Sequence, residues 1–372
     1  MNRSVCILTT VHSPFDTRIF HKQARTLVRA GYDVTLLAEH MRTETIDGIR
    51  IIALPVPRNR LVRMFGLTWR AFRQALRQRA DVYHFHDPEL LPAGVLLRLL
   101  TRGKVIYDVH EDVPQQILSK TWLPHVLRRP TSFLFGQLEK AFSRCCHAVV
   151  PATEGVAAHL RHPELVVVHN YPDLKLIDTS EPAERNGEET SVVYIGGITR
   201  LRGATEMLDA LRIAAERHPV RLNLIGSFHP ERLEQEARKR PEWTHVSHFG
   251  WRPAPEVYGV LQAADVGLAC LHPIPRHRVA MSVKLFEYMA AGIPVIASNF
   301  PLWREIVEGN RCGLNVDPLD PQAIAEGIRY VIEHPDEARE MGKRGRQAVE
   351  QKYNWETEAQ ELVALYERLL SE

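Results

Sequence analysis

The stretch Ser282–Ser298, SVKLFEYMAAGIPVIAS, constrains the fold of this chain more than any other. Leu285, Phe286, Met289 and Ala290 recur at helical spacing, which predicts a short, largely buried helix. Gly292 then ends the helix and Pro294 prevents its continuation. The apolar run Pro294–Ala297 is bounded by turn residues and suits a strand covered on both faces, as in a parallel sheet. Glu287 sits inside this apolar segment with Lys284 one turn before it. A buried carboxylate without a partner costs several kcal/mol, so Glu287 requires one, from the protein or from a ligand.

A chain of 372 residues exceeds one ordinary core, and two domains of roughly 150–200 residues are expected. The five cysteines, Cys6, Cys145, Cys146, Cys270 and Cys312, show no metal-ligand or CxxC spacing and read as reduced thiols of a cytoplasmic protein. The apolar run Val5–Leu8 is too short for a signal sequence, and no run approaches a membrane span. Net charge is +2 but unevenly placed: residues 1–170 hold 23 Lys/Arg against 14 Asp/Glu, a net of +9, and the remainder is −7. That asymmetry points to an anionic partner for the first half.

Strands are expected at Val5–Thr10, Val34–Ala38, Ile49–Leu54, Val82–Phe85, Val105–Tyr107, Ala148–Val150 and Leu165–Val168, with helices at Ile19–Ala30 and Leu61–Arg79. A strand–loop–helix–strand opening argues for a doubly wound parallel sheet. Residues 173–190 turn to Pro, Asp, Glu, Asn and Gly and read as a linker between a domain at 1–172 and a second at 191–353. The second alternates again. Strands are expected at Val192–Ile195, Leu222–Ile225, Val266–Leu268 and Pro294–Ala297, and helices at Ala204–Glu216, Pro255–Ala263 and Lys284–Ala291. Gln322–Glu333, Glu337–Gln351 and Thr357–Leu370 read as closing helices.

Ligands of open parallel sheets bind beyond the carboxyl ends of the strands. Those ends carry Thr9, His12, Asp16, Thr17 and Arg18 in the first case, then His84, His86, Asp87 and Glu89, then Asp108, His110, Glu111 and Asp112. Imidazole and carboxylate together are zinc ligands, but the spacing matches no recognised metal pattern, and hydrogen bonding to a polyhydroxyl ligand or a structural use is favoured over a metal. The second domain opens YIGGITRLRGATEML, where Gly196 and Gly197 allow close backbone approach and Arg200 and Arg202 favour phosphate. A plain glycine turn with solvated arginines is the competing reading. Arg58–Arg79 holds seven arginines and no acid, with Leu61, Phe65, Trp69, Phe72 and Leu76 at helical spacing. This basic amphipathic helix suits either an anionic membrane surface or a core-facing role with a solvated charged side.

Taken together, YDVHE, YIGGITRLRG, FGWRPAPEVYGVLQAADVGLACLHP and above all SVKLFEYMAAGIPVIAS resemble glycosyltransferase family 4 over nearly the whole chain. The resemblance implies the α/β GT-B fold, two doubly wound Rossmann-like domains facing each other across a cleft. The acceptor would bind the first domain and a nucleotide-sugar the second, with a C-terminal helix at 354–372 packing back on the first. Carried over by position, Glu287 resembles the acid that bonds the donor ribose. Arg202 stands for the diphosphate-binding lysine, and Ser282, Val283 and Lys284 form the loop whose amides approach diphosphate and sugar. Trp251 and Arg252 lie where the base is read, and His110 resembles the histidine close to the transferred sugar. Asp16, Thr17, Arg18, His86 and Asp87 fall on the acceptor side. Two departures stand out. Val279 occupies the position of a second sugar-binding Glu, and Gly197 that of an arginine, for which Arg200 compensates.

The activity implied is retaining transfer of a hexosyl or N-acetylhexosaminyl group, without metal or other cofactor, from a nucleotide-sugar such as a UDP-sugar. The acceptor expected is a glycan or lipid-linked molecule of envelope polysaccharide or glycolipid biosynthesis. The enzyme would be cytoplasmic and in peripheral contact with the inner face of the membrane. Competing readings are a nucleotide-sugar epimerase or hydrolase and a non-catalytic nucleotide-sugar-binding protein. Nucleic acid is disfavoured by the acidic second half.

Overall fold

The computed structural model describes residues 3–110, 112–118, 120, 123–185 and 189–371. The chain divides into two compact units, one of Met1–Asn170 with Trp355–Glu372 and the other of Tyr171–Asn354.

The first unit is built on seven strands: β1 (Ser4–Leu8), β2 (Asp33–Glu39), β3 (Glu44–Ile46), β4 (Ile49–Leu54), β5 (Val82–Phe85), β6 (Lys104–Val109) and β7 (Ala148–Pro151), in the order β3-β4-β2-β1-β5-β6-β7. All neighbours are parallel except β3 and β4, so the sheet is not purely parallel as the sequence suggested. Apart from β3 and β4, the strands are largely buried on both faces, which is why they read as near-continuous apolar runs. Strand order reverses between β1 and β5, whose residues Leu8 and Phe85 are paired. The carboxyl ends there form the crevice where doubly wound sheets take ligands.

Leu165–Val168, expected as a strand, makes only an isolated bridge from Leu165 to Val149. Its backbone still runs along β7: Val149 N donates to Glu164 O at 3.0 Å, Val166 N to Val149 O at 3.1 Å and Val168 N to Pro151 O at 3.0 Å. The expected helix at Ile19 starts earlier, at Thr17, because the Asp16 carboxylate accepts from the amides of Arg18 (2.8 Å) and Ile19 (3.0 Å) and caps it. Its first eight residues wind as π-helix. The closing helix Trp355–Ser371 belongs to this unit: Leu362, Leu365 and Tyr366 are buried with Ile7, Phe20 and Leu27, and Trp355 Nε1 donates to Thr26 Oγ1 at 3.0 Å.

The second unit holds six parallel strands, β8 (Thr190–Ile195), β9 (Val220–Ile225), β10 (Val246–Gly250), β11 (Val266–Ala269), β12 (Val295–Ser298) and β13 (Gly313–Val316), ordered β10-β9-β8-β11-β12-β13. Order reverses between β8 and β11. The expected linker is not one. Residues 171–190 belong to this unit because Leu174–Asp178 forms a helical turn whose Ile177 is fully buried. Ile177 O accepts from Gln262 Nε2 at 2.8 Å, and Ala183 N donates to Gly259 O at 2.9 Å. Gly259 has to be a glycine there, since a Cβ would lie 2.4 Å from Glu181 O.

Candidate active site

In the second unit the helix Val283–Ala290 lies beside β11 and β12. Tyr288 seats it: its Oη donates to Leu268 O and accepts from Ile195 N, both at 3.1 Å, and its ring covers Gly267, where a Cβ would sit 2.4 Å away. One residue back, Glu287 is half-buried and accepts from Tyr258 Oη at 3.3 Å. Burial, and after it the Glu287 charge, hold the Tyr258 hydroxyl well above its ordinary pKa, so it stays a donor. Tyr258 falls on the apolar face of Ala254–Gln262, and helical spacing alone reads it as core; only the tertiary structure brings it to Glu287.

The turn after β8 places the phosphate-type residues. Gly196 has φ +100°, open to glycine and strained for other residues. Arg202 Nη1 donates to Gly197 O at 3.3 Å, and Tyr194 Oη donates to the same carbonyl at 2.9 Å. Gly203, at φ +77°, leads into the helix Ala204–Ala215, and its hydrogen faces Cys270 O so closely that a Cβ would stand 2.1 Å from it. Lys284 is buried, with Nζ 3.7 Å from the centroid of the Tyr194 ring. Arg200 points elsewhere, onto Glu236. Ser282 precedes the helix with no side-chain capping bond, and Val283 is its first residue. Trp251 is 76% exposed, and Arg252 is exposed with Nε 3.7 Å from Glu256. Glycine turn, Arg202, Lys284 and Glu287 therefore come together, while the Arg200 side chain is committed outside the group and Trp251 and Arg252 are open to solvent. Val279 ends the short helix Pro275–Val279 and is exposed.

In the first unit, the carboxyl ends of β5 and β6 assemble a second group. Asp108 is fully buried and receives Arg18 on both oxygens, Nε at 3.1 Å and Nη2 at 3.0 Å, with Gln23 Nε2 at 2.6 Å. Burial alone would raise its pKa; the Arg18 charge, then the neighbouring His110, His84 and His86 imidazoles, hold it well below the carboxylate range. His84 Nδ1 meets Tyr366 Oη at 2.7 Å, and His86 Nδ1 meets His110 Nε2 at 2.8 Å. Burial keeps His84 neutral, its pKa pushed down to about 4, and drives His110 down as well. His12 stands 5.1 Å from the His110 ring and 3.5 Å from both Asp16 and Asp87. Asp87 is buried and takes Thr9 Oγ1 at 2.9 Å and Thr10 N at 2.6 Å. Thr17 is exposed at the helix start. Arg18 and Asp108 are thus an internal brace, whereas His110 and His12 line the group's outer side; Glu111 lies outside the described residues.

Single nitrogen or oxygen atoms of His84, His86 and Asp108 lie within 4.8 Å of one another. The carboxylate, however, already carries the Arg18 guanidinium on both oxygens, and a divalent cation there would compete with that charge.

Residues 178–348 match the model of glycosyl transferases group 1, and residues 17–171 that of the glycosyl transferase 4-like domain. The chain belongs to glycosyltransferase family 4. It is 24% identical over 315 residues to the MMP alpha-(1->4)-mannosyltransferase of Mycolicibacterium hassiacum, covering 81% of this chain and 74% of the relative. Sucrose-phosphate synthase from Thermosynechococcus elongatus superposes with TM-score 0.79 and 21% identity over the full length of both chains. Anabaena Alr3699/HepE, solved in complex with UDP-glucose, superposes with TM-score 0.74 and 14% identity, covering 98% of this chain and 99% of that one. The fold of this family 4 enzyme is GT-B, and it is a glycosyltransferase that uses a nucleotide-sugar donor.

Proposed function

We propose that the enzyme transfers the sugar of a UDP-sugar, with retention of anomeric configuration and without a metal, to a glycan or lipid-linked acceptor of envelope polysaccharide or glycolipid synthesis. The observation that carries the donor half is the approach of Arg202 to the Gly196–Gly197 turn, in the same unit as Glu287 of the helix Val283–Ala290. A fixed guanidinium above a glycine turn matches a diphosphate, and a carboxylate oriented by Tyr258 matches the two ribose hydroxyls. The choice of UDP is supported by the UDP-glucose complex of the Anabaena neighbour.

In the reaction the acceptor oxygen attacks the anomeric carbon as the bond from that carbon to the diphosphate oxygen breaks. Negative charge collects on the leaving diphosphate, which takes the acceptor proton. Arg202 acts most strongly on that developing charge, and loss of such a contact costs about 10²–10³ in kcat. Glu287 is engaged by Tyr258 and directed to ribose, which supports displacement by the acceptor itself over a covalent carboxylate intermediate. His110 and His12, with Asp16 and Asp87 beside them, are the acceptor-side residues.

A membrane-associated acceptor is supported by the surface of the first unit. Leu61, Phe65 and Trp69 are 69%, 71% and 53% exposed, beside exposed Arg58, Arg60, Arg70 and Arg73. The expected core-facing stripe is thus split: Phe72 is buried, and the earlier residues face solvent. Phe133 and Leu134 of the helix His125–Ser143 are exposed as well. No helix among the described residues is long and apolar enough to cross a membrane, so the contact proposed is peripheral, with a cytoplasmic enzyme lying against anionic lipid.

The decisive assay incubates the wild type and Arg202→Ala with UDP-sugars, with and without acceptor extracts, and determines the anomeric configuration of the product by NMR. Transfer with retention, reduced at least a hundredfold in Arg202→Ala, is expected. Turnover of donor without acceptor would instead identify an epimerase or hydrolase, and near-normal transfer by Arg202→Ala would remove the assigned role.

A further inference from the structure

The resemblance puts an arginine at the position of Gly197 and leaves its charge to be supplied from elsewhere. Arg200, the substitute that chain order suggests, is ion-paired to Glu236, which also holds Arg232 on the helix Glu231–Arg238. Lys284 is placed differently. It is more than nine-tenths buried, and Nζ has no hydrogen-bond partner among the described residues. A Cβ placed on Gly196 would lie 3.7 Å from Nζ and 3.9 Å from Arg202 Nη1; one placed on Gly197 would lie 3.1 Å from that same Nη1. The two cationic heads therefore flank the space that the paired glycines leave bare.

We propose that Lys284, from the first turn of the helix Val283–Ala290, supplies the second cationic contact of the donor diphosphate in place of the arginine absent at Gly197. The proposal rests on the donor reading above and adds a residue to it. A buried amine over the face of Tyr194, with no hydrogen-bond partner among the described residues, is an expensive feature for a purely structural role, since an apolar side chain of the same length fills that volume without desolvating a polar group. Burial, then the neighbouring Arg202 charge, hold the amine's pKa well below its ordinary value, with Glu287 pulling the other way. An incoming dianion reverses that balance, so the site takes up a proton as it takes up the diphosphate. The helix opens at Val283 with no side-chain cap, so the positive end of its dipole adds to the charge near Lys284.

The test is isothermal titration of UDP, UMP and uridine into the wild type and Lys284→Met, in two buffers of different ionisation enthalpy at mildly alkaline pH. The expected result has three parts. Lys284→Met lowers UDP affinity at least tenfold while changing uridine affinity less than threefold. It abolishes the proton uptake that accompanies UDP binding in the wild type. Its ligand-free melting temperature equals or exceeds that of the wild type, which rules out misfolding as the cause. UDP affinity within twofold of wild type in Lys284→Met overturns the proposal, as does loss of the UDP-over-UMP preference in Arg200→Ala alone, which returns the role to Arg200. A wild type that binds none of the three ligands instead refutes the donor reading, a separate outcome.

Discussion

Replacing Arg18 by Met tests the brace beneath His110. Both members of the Arg18–Asp108 pair are buried, 2% and 0% exposed, and Arg18 Nη1 also donates to Val168 O at 2.7 Å. Methionine keeps the length and apolar stem but leaves the carboxylate with Gln23 and with the His84 and His110 imidazoles at 3.5 and 3.3 Å. Breaking one side of a buried ion pair costs about 3–5 kcal/mol. At ~2–4 °C per kcal/mol for a unit of this size, the melting midpoint of the first unit should fall by roughly 6–20 °C.

The pH dependence carries a definite sign. Because the folded pKa of Asp108 is depressed, its stabilising contribution is complete above the unfolded carboxylate value of about 3.9 and is lost as pH falls through the depressed folded value. Without Arg18 the main cause of that depression is gone, so the gap between the two proteins should be wide near neutrality and narrow in acid. Calorimetry of the full chain between about pH 2 and 8 reads both quantities. A midpoint shift under ~2 °C at neutral pH, or a gap that does not narrow on acidification, refutes the brace.

Three further outcomes are expected. Glu287→Ala should weaken UDP binding by roughly 10–150-fold, the equivalent of one hydrogen bond to a charged group, and an unchanged dissociation constant would mean that Glu287 does not meet the ribose. His169 has a raised pKa: burial lowers it, but bonds to Glu358 and then Glu154 outweigh burial, so the clip it makes to the closing helix is complete below the unfolded value of about 6.5 and is lost as pH rises through the folded one. Melting temperature should therefore fall more steeply above neutrality in the wild type than in Glu358→Gln, and parallel profiles would argue against this. Finally, Phe65→Ser with Trp69→Ser should reduce co-sedimentation with phosphatidylglycerol vesicles at low salt at least tenfold; retention of binding would show that the lipid contact, if made, lies elsewhere.

Most strands and the helix Val283–Ala290 were legible because each is specified locally: a parallel strand is apolar throughout, and a helix carries a 3.6-residue period. The His125–Ser143 helix is not legible in the sequence although it is 19 residues long, because Pro130, which it accommodates, reads as a helix breaker and Phe133, Leu134 and Leu138 face solvent, which breaks the amphipathic signal. Strands β10 and β13 were missed for a related reason. Only partly buried and carrying His248 and Asn315, they lack the apolar run by which the inner strands announce themselves.

The site divides along the same line. Sequence by itself determined the candidates: Glu287 stranded in an apolar helix, two glycines followed by arginines, and histidines and acids at strand ends. Spacing along the chain carries that much, because strand ends and helix faces are local properties. Which of those groups act was decided by contacts between residues far apart in sequence. Tyr258 reaches Glu287 across 29 residues, Arg18 is drawn onto Asp108 across 90, and His84 meets Tyr366 across 282. Charge and burial have meaning only after such contacts form. An arginine at a strand end reads as a ligand contact until a buried carboxylate claims it, and Lys284 reads as a helix-surface lysine until the fold encloses it beside Arg202 and the bare glycine turn.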